Sequence, residues 1–251
     1  MNALGTSLIA FVVILCGVLV GAFLRKRLPE QHLSDETKDV VRLGTGLVGT
    51  IAALVLGLLI AAANSSYGTQ SGHVQHLAAD LILLDQLLVQ YGPEARPARE
   101  MLRQAVTPLV ERIWRENRSG GTRQTTFEAS QSGQDAAAII VHLTPQNDAQ
   151  RIIKDRAIQI TADLAQTRLL LFEQSGGALP LPFLVVLIFW LAMIFTSFGM
   201  FSRLNLVSGV ALIVFALSAA GALFLVLELS DPFSGLMQIP SEPLRRALAP
   251  I

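Results

Sequence analysis

Hydrophobic and polar residues divide this chain into four long apolar stretches, arranged as two pairs around one polar segment. The stretches cover residues 8–24, 43–63, 181–201 and 204–229. Each is close to the about 20 residues that a helix needs to cross the hydrocarbon core of a bilayer. The pattern predicts an all-α integral membrane protein, with four transmembrane helices in two hairpins that flank a helical soluble insert.

The same pattern predicts the domain organisation. The expected parts are a first transmembrane hairpin (1–63), a helical extramembrane domain (64–178), a second transmembrane hairpin (179–229) and a C-terminal tail (230–251). The tail mixes apolar residues with Arg245 and Arg246. Such a composition is typical of a segment that lies on the membrane surface or against a neighbouring subunit.

The insert has apolar residues spaced three and four apart, which is the pattern of helices that pack along a seam. The first seam comprises Val74, Leu77, Leu81, Leu84, Leu88 and Tyr91. The last seam comprises Ile153, Ala157, Ile160, Leu164, Thr167 and Leu171. We expect these two helices to pair antiparallel within a bundle. Between them, Pro108 predicts a kink or break in a middle helix.

The second span differs from the other three because small and weakly polar residues recur along one face. This small-residue face comprises Gly46, Thr50, Ala53, Gly57, Ile60 and Asn64. Small residues let transmembrane helices pack closely, and the same face is also suited to line a pore. Both interpretations stay open, and a symmetric oligomer with this helix nearest the axis satisfies both. For a pore, the expected gate is an apolar ring at Ile60, or at Leu54 if the helix is rotated.

Polar and turn-forming residues follow the second and fourth spans. Ser65 and Tyr67 belong to a polar collar, which either anchors the helix at the interface or forms a pore mouth. Asp231, Pro232 and Phe233 follow the fourth span. They form either a turn that redirects the chain or part of a pore mouth or oligomer contact.

Composition and charge exclude several classes of function. The chain is 52% hydrophobic and 15% charged, and its 19 basic residues balance its 19 acidic residues. A neutral chain offers no basic surface for nucleic acid. No Asp, Glu, Lys or Arg lies near the middle of a predicted span, which argues against a proton-relay pump or a charge-coupled transporter. The partners we expect are the lipid bilayer and further copies of this chain.

Signals for catalysis or a cofactor are missing from the sequence. Phosphate-binding, dinucleotide-binding, metalloprotease and serine-hydrolase motifs do not occur, so we expect neither an enzyme nor a cofactor. His73, His76 and Asp80 share one helix face. Three ligands from one helix with no fourth partner make a weak metal site, so we interpret them as a polar face. A proton-sensitive pair is an intermediate interpretation, because histidine titrates near neutral pH.

Basic residues between the first two spans predict the orientation. That loop contains Arg25, Lys26, Arg27 and Lys38, and Arg42 stands at the edge of the second span. Short loops with excess positive charge stay in the cytoplasm. The charge bias therefore favours a non-cytoplasmic position for the insert and for the tail.

Several segments resemble the bacterial bestrophin-like domain membrane proteins, a family of unknown function. They are VRLGTGLVGT (41–50), AALVLGLLI (52–60), NSSY (64–67) and DPFSG (231–235). The resemblance covers nearly the whole chain, including the two-hairpin arrangement. More distantly, the chain is similar to bestrophins, which are pentameric anion channels with a pore lined by the second span. The second span here has no phenylalanine, unlike the aromatic neck of bestrophins.

The resemblance implies a homo-oligomer, a pentamer by analogy, in a bacterial inner membrane, with inorganic ions as the solute. Our leading hypothesis is thus a channel-like protein with the second helix around its path. The alternative is a non-conducting scaffold or sensor whose insert binds a partner through the seams. Burial of Leu77, Leu81, Leu84 and Leu88 within one subunit would make the insert a self-contained bundle, and their exposure would favour a partner helix.

Overall fold

The computed structural model of the chain describes residues 3–29, 35–119, 135–174, 181–202 and 205–248, with the backbone alone at 107–109, 111–113, 115–119, 172–174 and 181. In this part of the chain every regular element is a helix. The helices are α1 (Ala3–Arg27), α2 (Asp35–Tyr91), α3 (Arg96–Ser119), α4 (135–142), α5 (Asp148–Gln174), α6 (Leu181–Phe201), α7 (Leu206–Leu229) and α8 (Glu242–Leu248). A short 3-10 turn, Pro93–Ala95, separates α2 from α3.

Four of these helices, α1, α2, α6 and α7, are long and apolar enough to cross a membrane. They include the predicted stretches 8–24, 43–63 and 181–201, and α7 covers the fourth from Leu206 to Leu229. Helix α6 has the predicted bounds, and α1 extends beyond the prediction at both ends. The predicted fold class is confirmed: the chain is an all-α integral membrane protein with two helical hairpins and a helical insert.

Helix α2 is unusual because it continues from the second span into the first seam of the insert. It has 57 residues, which corresponds to a length of about 85 Å at about 1.5 Å per residue. The polar residues Asn64 and Ser65 do not interrupt it, because each keeps the backbone N–H that the helix needs. The helix ends at Tyr91, before Gly92, whose φ of 123° is a conformation that favours glycine.

The chain divides into two compact units. The membrane unit comprises Met1–Ser66 and Ala178–Ser230, and the extramembrane unit comprises Tyr67–Gly177 and Asp231–Ile251. The first boundary lies within α2, near the boundary that the sequence pattern suggested. The second predicted boundary, between residues 178 and 179, lies outside the described residues.

In the membrane unit, α1 and α6 approach so closely that their contact requires glycine. A Cβ atom on Gly21 would lie 2.0 Å from the carbonyl oxygen of Thr196. A Cβ atom on Gly199 would lie 2.2 Å from the carbonyl oxygen of Val18. Gly17 and Gly21 have the four-residue spacing that lets transmembrane helices pack closely. The small residues of the second span were predicted to serve such packing, whereas the structure shows it at this pair on the first.

The extramembrane unit has an apolar core built largely from the predicted seams. All six residues of the first seam are buried, and so are Ala157, Ile160 and Leu171 of the last seam. Helix α3 adds Ala98, Leu102, Val106 and Val110 to this core. The break predicted at Pro108 is absent, because α3 continues to Ser119. Buried residues on both sides of the proline hold the helix together although one backbone hydrogen bond is lost.

The C-terminal tail belongs to the same core. Phe233, Ile239, Leu244 and Ala247 are buried in it. The Trp114 indole N–H donates to the carbonyl oxygen of Ile239 at 2.8 Å, and its ring meets Phe233 edge-on at 5.7 Å. The tail therefore packs on the insert of its own chain, rather than on the membrane surface or a neighbouring subunit as expected.

Candidate functional site: the exposed faces of α2

Helix α2 packs within the membrane unit through one narrow face. Ala52 and Ala63 are buried on this face, and Val48, Leu56 and Leu59 are partly buried and contact the apolar clusters of the unit. In the apolar window of α2 only 11% of the residues are buried, against 22–33% in the other three spans. The second span is therefore the least enclosed of the four within one protomer.

The small-residue face lies beside this packed face. Successive residues of a helix are rotated by about 100°, which places the small-residue face roughly a third of a turn from the line of Ala52 and Ala63. Gly46, Thr50, Ala53, Gly57 and Asn64 are exposed in the single chain, and Ile60 is half-buried. Leu54 is also exposed and lies further around the helix, nearer to Leu47 and Leu58.

The glycines of this face have open space in front of them. A Cβ atom on Gly46 or Gly57 would meet no atom within 4 Å. This contrasts with Gly17 and Gly21 of α1, where the corresponding atoms would clash with α6. Within one chain, Gly46 and Gly57 thus do not serve close packing. The face they belong to is free to contact lipid, a second copy of the chain or a solvent-filled path.

Thr50 is the only hydroxyl residue on the small-residue face. Its Oγ1 donates to the carbonyl oxygen of Gly46 at 2.7 Å, with the carbonyl oxygen of Leu47 at 3.0 Å. A hydroxyl group has one donor and two acceptor lone pairs, so the helix uses the proton and leaves acceptor capacity directed outward. Together with the Asn64 amide, the face offers neutral dipoles and no formal charge.

The residues predicted for a pore mouth lie in different environments. Ser65 is exposed, and Tyr67 is half-buried against the apolar core of the extramembrane unit. Asp231 is exposed, whereas Pro232 and Phe233 are buried.

A tight turn fixes the segment that begins at Asp231. The Ser234 hydroxyl donates to Asp231 Oδ2 at 2.5 Å, and the Ser234 N–H donates to the Asp231 carbonyl oxygen at 3.2 Å. The Ile239 N–H donates to the Pro232 carbonyl oxygen at 2.7 Å. These bonds redirect the chain after α7 so that Phe233 enters the extramembrane core.

The histidine-rich face of α2 lies in the extramembrane unit. Within the described residues, no group of three His, Cys, Asp or Glu side chains is placed to hold a metal ion. Asp80 is half-buried, and burial together with the charge of Asp163 raises the pKa of its carboxyl group. The nearby charges of His76 and Arg156 oppose that shift. The face is thus an electrostatic cluster between α2 and α5.

Comparison with known proteins assigns the chain to a family. A family model described as "Bestrophin-like domain" matches residues 11–244. The chain belongs to the Bestrophin-like family. No curated protein matches the chain.

Solved structures of a bacterial bestrophin homologue from Klebsiella pneumoniae share the fold of this Bestrophin-like chain. A tryptophan-to-alanine variant is 15% identical, with a TM-score of 0.70 over 99% of this chain and 97% of that chain. An isoleucine-to-threonine variant is 17% identical, with a TM-score of 0.65 over 94% and 96%. A structure phased with zinc is 15% identical, with a TM-score of 0.63 over 94% of each chain. Such low identities establish likeness of fold.

The seams of this Bestrophin-like protein are used within its own subunit. Leu77, Leu81, Leu84 and Leu88 are each at most 3% exposed. The insert is thus a self-contained bundle, and its first seam is not available to a partner helix. The exposed faces of α2 in the membrane unit are therefore the strongest candidate site.

Proposed function

We propose that this protein is an oligomeric ion channel of a bacterial inner membrane, in which one α2 helix from each protomer surrounds the path. The observation that carries the proposal is the open small-residue face on the least buried span. In lipid, small residues on a helix normally serve close contact with another helix. Here no helix of the same protomer fills the space in front of Gly46 and Gly57. Membership of the Bestrophin-like family supports the same function, with a pentamer by analogy.

The proposed path is neutral and narrow. Gly46, Thr50, Ala53, Gly57, Ile60 and Asn64 face it, and Ser65 lies next to its extramembrane end. Ile60 forms an apolar ring that gates conduction by dewetting, with Leu54 taking this role if the helix is rotated. Neutral dipoles of Thr50 and Asn64 partly replace the water around a passing ion. Inorganic ions are the solute, and no catalytic step is involved.

The alternative function, a non-conducting scaffold or sensor, is the weaker proposal. It required exposed seams in the insert as the place where a partner binds. The first seam is enclosed by α3, α5 and the tail of the same chain. A partner would have to use another surface, and no observation in the described part of the chain favours one.

Replacing Gly57 by leucine tests the path directly. A leucine at this position meets nothing in its own protomer, so the chain should fold and assemble as before. In an oligomer with α2 around the axis, one leucine from every protomer would fill the path. We expect ion flux from reconstituted liposomes to fall to the level of protein-free liposomes, with the oligomer mass unchanged.

Gly221→Leu is the matched control. Gly221 lies on α7 and is exposed, and a Cβ atom added there would also meet no atom within 4 Å. The same substitution there should leave flux unchanged, because α7 is not part of the proposed path. Undiminished flux through Gly57→Leu, or an equal loss in both variants, would contradict the assignment of α2 to the path.

A further inference from the structure

A cleft of about 940 Å³ opens in the membrane unit between α2, α6 and α7. It lies at the end of the unit where α1 and α6 terminate and where α2 and α7 begin. Its volume is at the upper end of the about 300–1,000 Å³ that is usual for pockets that hold a small molecule. The small-residue face contributes only Gly46 to its wall. The cleft is therefore a site separate from most of the proposed path.

The inner part of the cleft is apolar. Ile194 and Phe198 of α6 and Leu212 and Phe215 of α7 line it. Space is available because α2 presents glycine here: a Cβ atom on Gly49 would be 4.0 Å from the Ile194 side chain. A groove of this kind between transmembrane helices offers an acyl chain an apolar surface.

The outer part of the cleft carries charges of both signs. Lys38 pairs with Asp35 at 2.8 Å, and this exposed pair neutralises itself. Asp39 and Arg42 are also exposed and line the cleft, but neither has an ion-pair partner among the described residues. They stand one helical turn apart on α2. Arg42 directly precedes the apolar stretch that starts at residue 43, which places it at the depth of lipid headgroups.

We propose that this cleft binds one zwitterionic aminophospholipid per protomer. The acyl chain lies against Phe198 and Phe215, the phosphate group contacts Arg42, and the primary ammonium group contacts Asp39. Arginine binds phosphate through paired N–H groups, and a carboxylate accepts hydrogen bonds from an ammonium group. An anionic headgroup without an amine would satisfy Arg42 and leave Asp39 beside negative charge. The inference does not depend on conduction.

Lipid retention by the purified oligomer tests the proposal. Lipid-depleted protein is mixed with micelles that contain equal amounts of phosphatidylethanolamine and phosphatidylglycerol, and bound lipid is counted by native mass spectrometry. We expect phosphatidylethanolamine to be retained about tenfold more than phosphatidylglycerol, up to one molecule per protomer. Arg42→Gln and Asp39→Asn should each lower its retention by about tenfold.

Two further variants distinguish lipid bound in the cleft from lipid bound elsewhere on the surface. Lys26→Gln removes one positive charge at the same end of the unit but outside the cleft, and should leave retention unchanged. Ala211→Phe fills the cleft from α7 and should abolish retention. If Ala211→Phe fails to assemble, the lipid retention of Arg42→Gln and Asp39→Asn tests the proposal instead.

Three results would overturn the proposal. The first is equal retention of both lipids or a preference for phosphatidylglycerol. The second is retention that Arg42→Gln does not change. The third is an intermolecular disulfide formed by the cysteine that Phe198→Cys introduces. Such a bond would place a second copy of the chain in the cleft.

Discussion

At the scale of single residues, the carboxyl group of Asp80 makes the stability of the extramembrane unit depend on pH. Burial and the charge of Asp163 raise its pKa above the usual 3.8. A group whose pKa is raised by folding stabilises the fold below its unfolded pKa, and this stabilisation is lost as the pH rises through the folded pKa. At neutral pH the ionised Asp80 therefore costs stability.

Asp80→Asn should accordingly raise the midpoint of thermal unfolding at pH 7. The difference from the wild type should disappear near about pH 3, where the carboxyl group is protonated in both states. The purified protein is measured at both pH values. Asp155→Asn, which removes an exposed carboxyl group from α5, serves as the control and should change the midpoint little. A lower midpoint for Asp80→Asn at pH 7 would show that His76 and Arg156 outweigh burial.

Glycine shows what single residues reveal in the sequence and what they do not. Gly17 and Gly21 are required by a close helix contact, whereas Gly46 and Gly57 face open space. Both pairs look alike as small residues at helical spacing. Spacing predicts that a face is suited to close approach, but the identity of the approaching group depends on the tertiary arrangement. Spacing alone consequently pointed to the small residues of α2 and did not reveal the glycine contact of α1.

At the scale of secondary-structure elements, an ion pair fastens α3 to the extramembrane part of α2. Arg99 Nε lies 2.6 Å from Asp85 Oδ1, and Arg99 Nη2 lies 3.1 Å from Asp85 Oδ2. The Asp85 side chain is only 8% exposed, and that of Arg99 is 27% exposed. The hydrogen bonds with Asp85 raise the pKa of the Arg99 guanidinium group. The geometry is bidentate, which is the strongest form of such a pair.

Removing only the arginine should be costly, because it leaves a buried charge without compensation. We expect Arg99→Met to lower the free energy of unfolding by about 3–5 kcal/mol. The double variant Asp85→Leu with Arg99→Met should recover most of this loss, since no buried charge remains. Chemical denaturation of the purified protein measures both changes.

The exposed pair of Glu242 and Arg246 on α8 provides a matched comparison. Its side chains are 60% and 78% exposed. Glu242→Gln should therefore change the free energy of unfolding by at most about 1 kcal/mol. If Glu242→Gln and Arg99→Met lower the free energy of unfolding by similar amounts, the expectation that the buried pair matters more for stability than the exposed pair is contradicted.

Among the elements, the seams were predictable and the extent of α2 was not. Val74, Leu77 and Leu81 alternate at three and four residues, and only a helix places all of them on one side. The polar residues between Asn64 and Tyr67 suggested a boundary, yet none of them forbids a helix. The cleft between α2, α6 and α7 depends on how three distant segments pack, so no local pattern could indicate it.

At the scale of the whole molecule, the insert and the tail must lie on the same side of the membrane. They share one core, in which Trp114 of the insert contacts Phe233 and Ile239 of the tail. Between the insert and the tail, the chain crosses the membrane twice, through α6 and α7. Two crossings return the chain to the side from which it started. From the basic residues around Lys26, which favour a cytoplasmic loop between α1 and α2, we propose that insert and tail are non-cytoplasmic.

Cysteine labelling with a membrane-impermeant maleimide tests both statements. In a Cys16→Ser background, Gln90→Cys reports on the insert and Gln238→Cys reports on the tail, and both positions are exposed. We expect both cysteines to react in spheroplasts before lysis. Lys26→Cys, at the end of α1, is the control and should react only after lysis.

The possible outcomes separate the two statements. If Gln90→Cys and Gln238→Cys both react only after lysis, the orientation is reversed while the shared side stands. If one reacts before lysis and the other only afterwards, the shared core is contradicted.

The position of the tail in the extramembrane core also bears on how the protein is made. A ribosome releases the chain from its N-terminus, so the seam of residues 74–91 emerges long before Phe233, Ile239 and Leu244. Until α6 and α7 have entered the membrane and residues 233–247 have followed, part of this seam stays uncovered. The extramembrane unit therefore completes its fold only after residues 233–247 have left the ribosome. A nascent chain truncated before residue 231 would display apolar surface for proteases and chaperones to recognise.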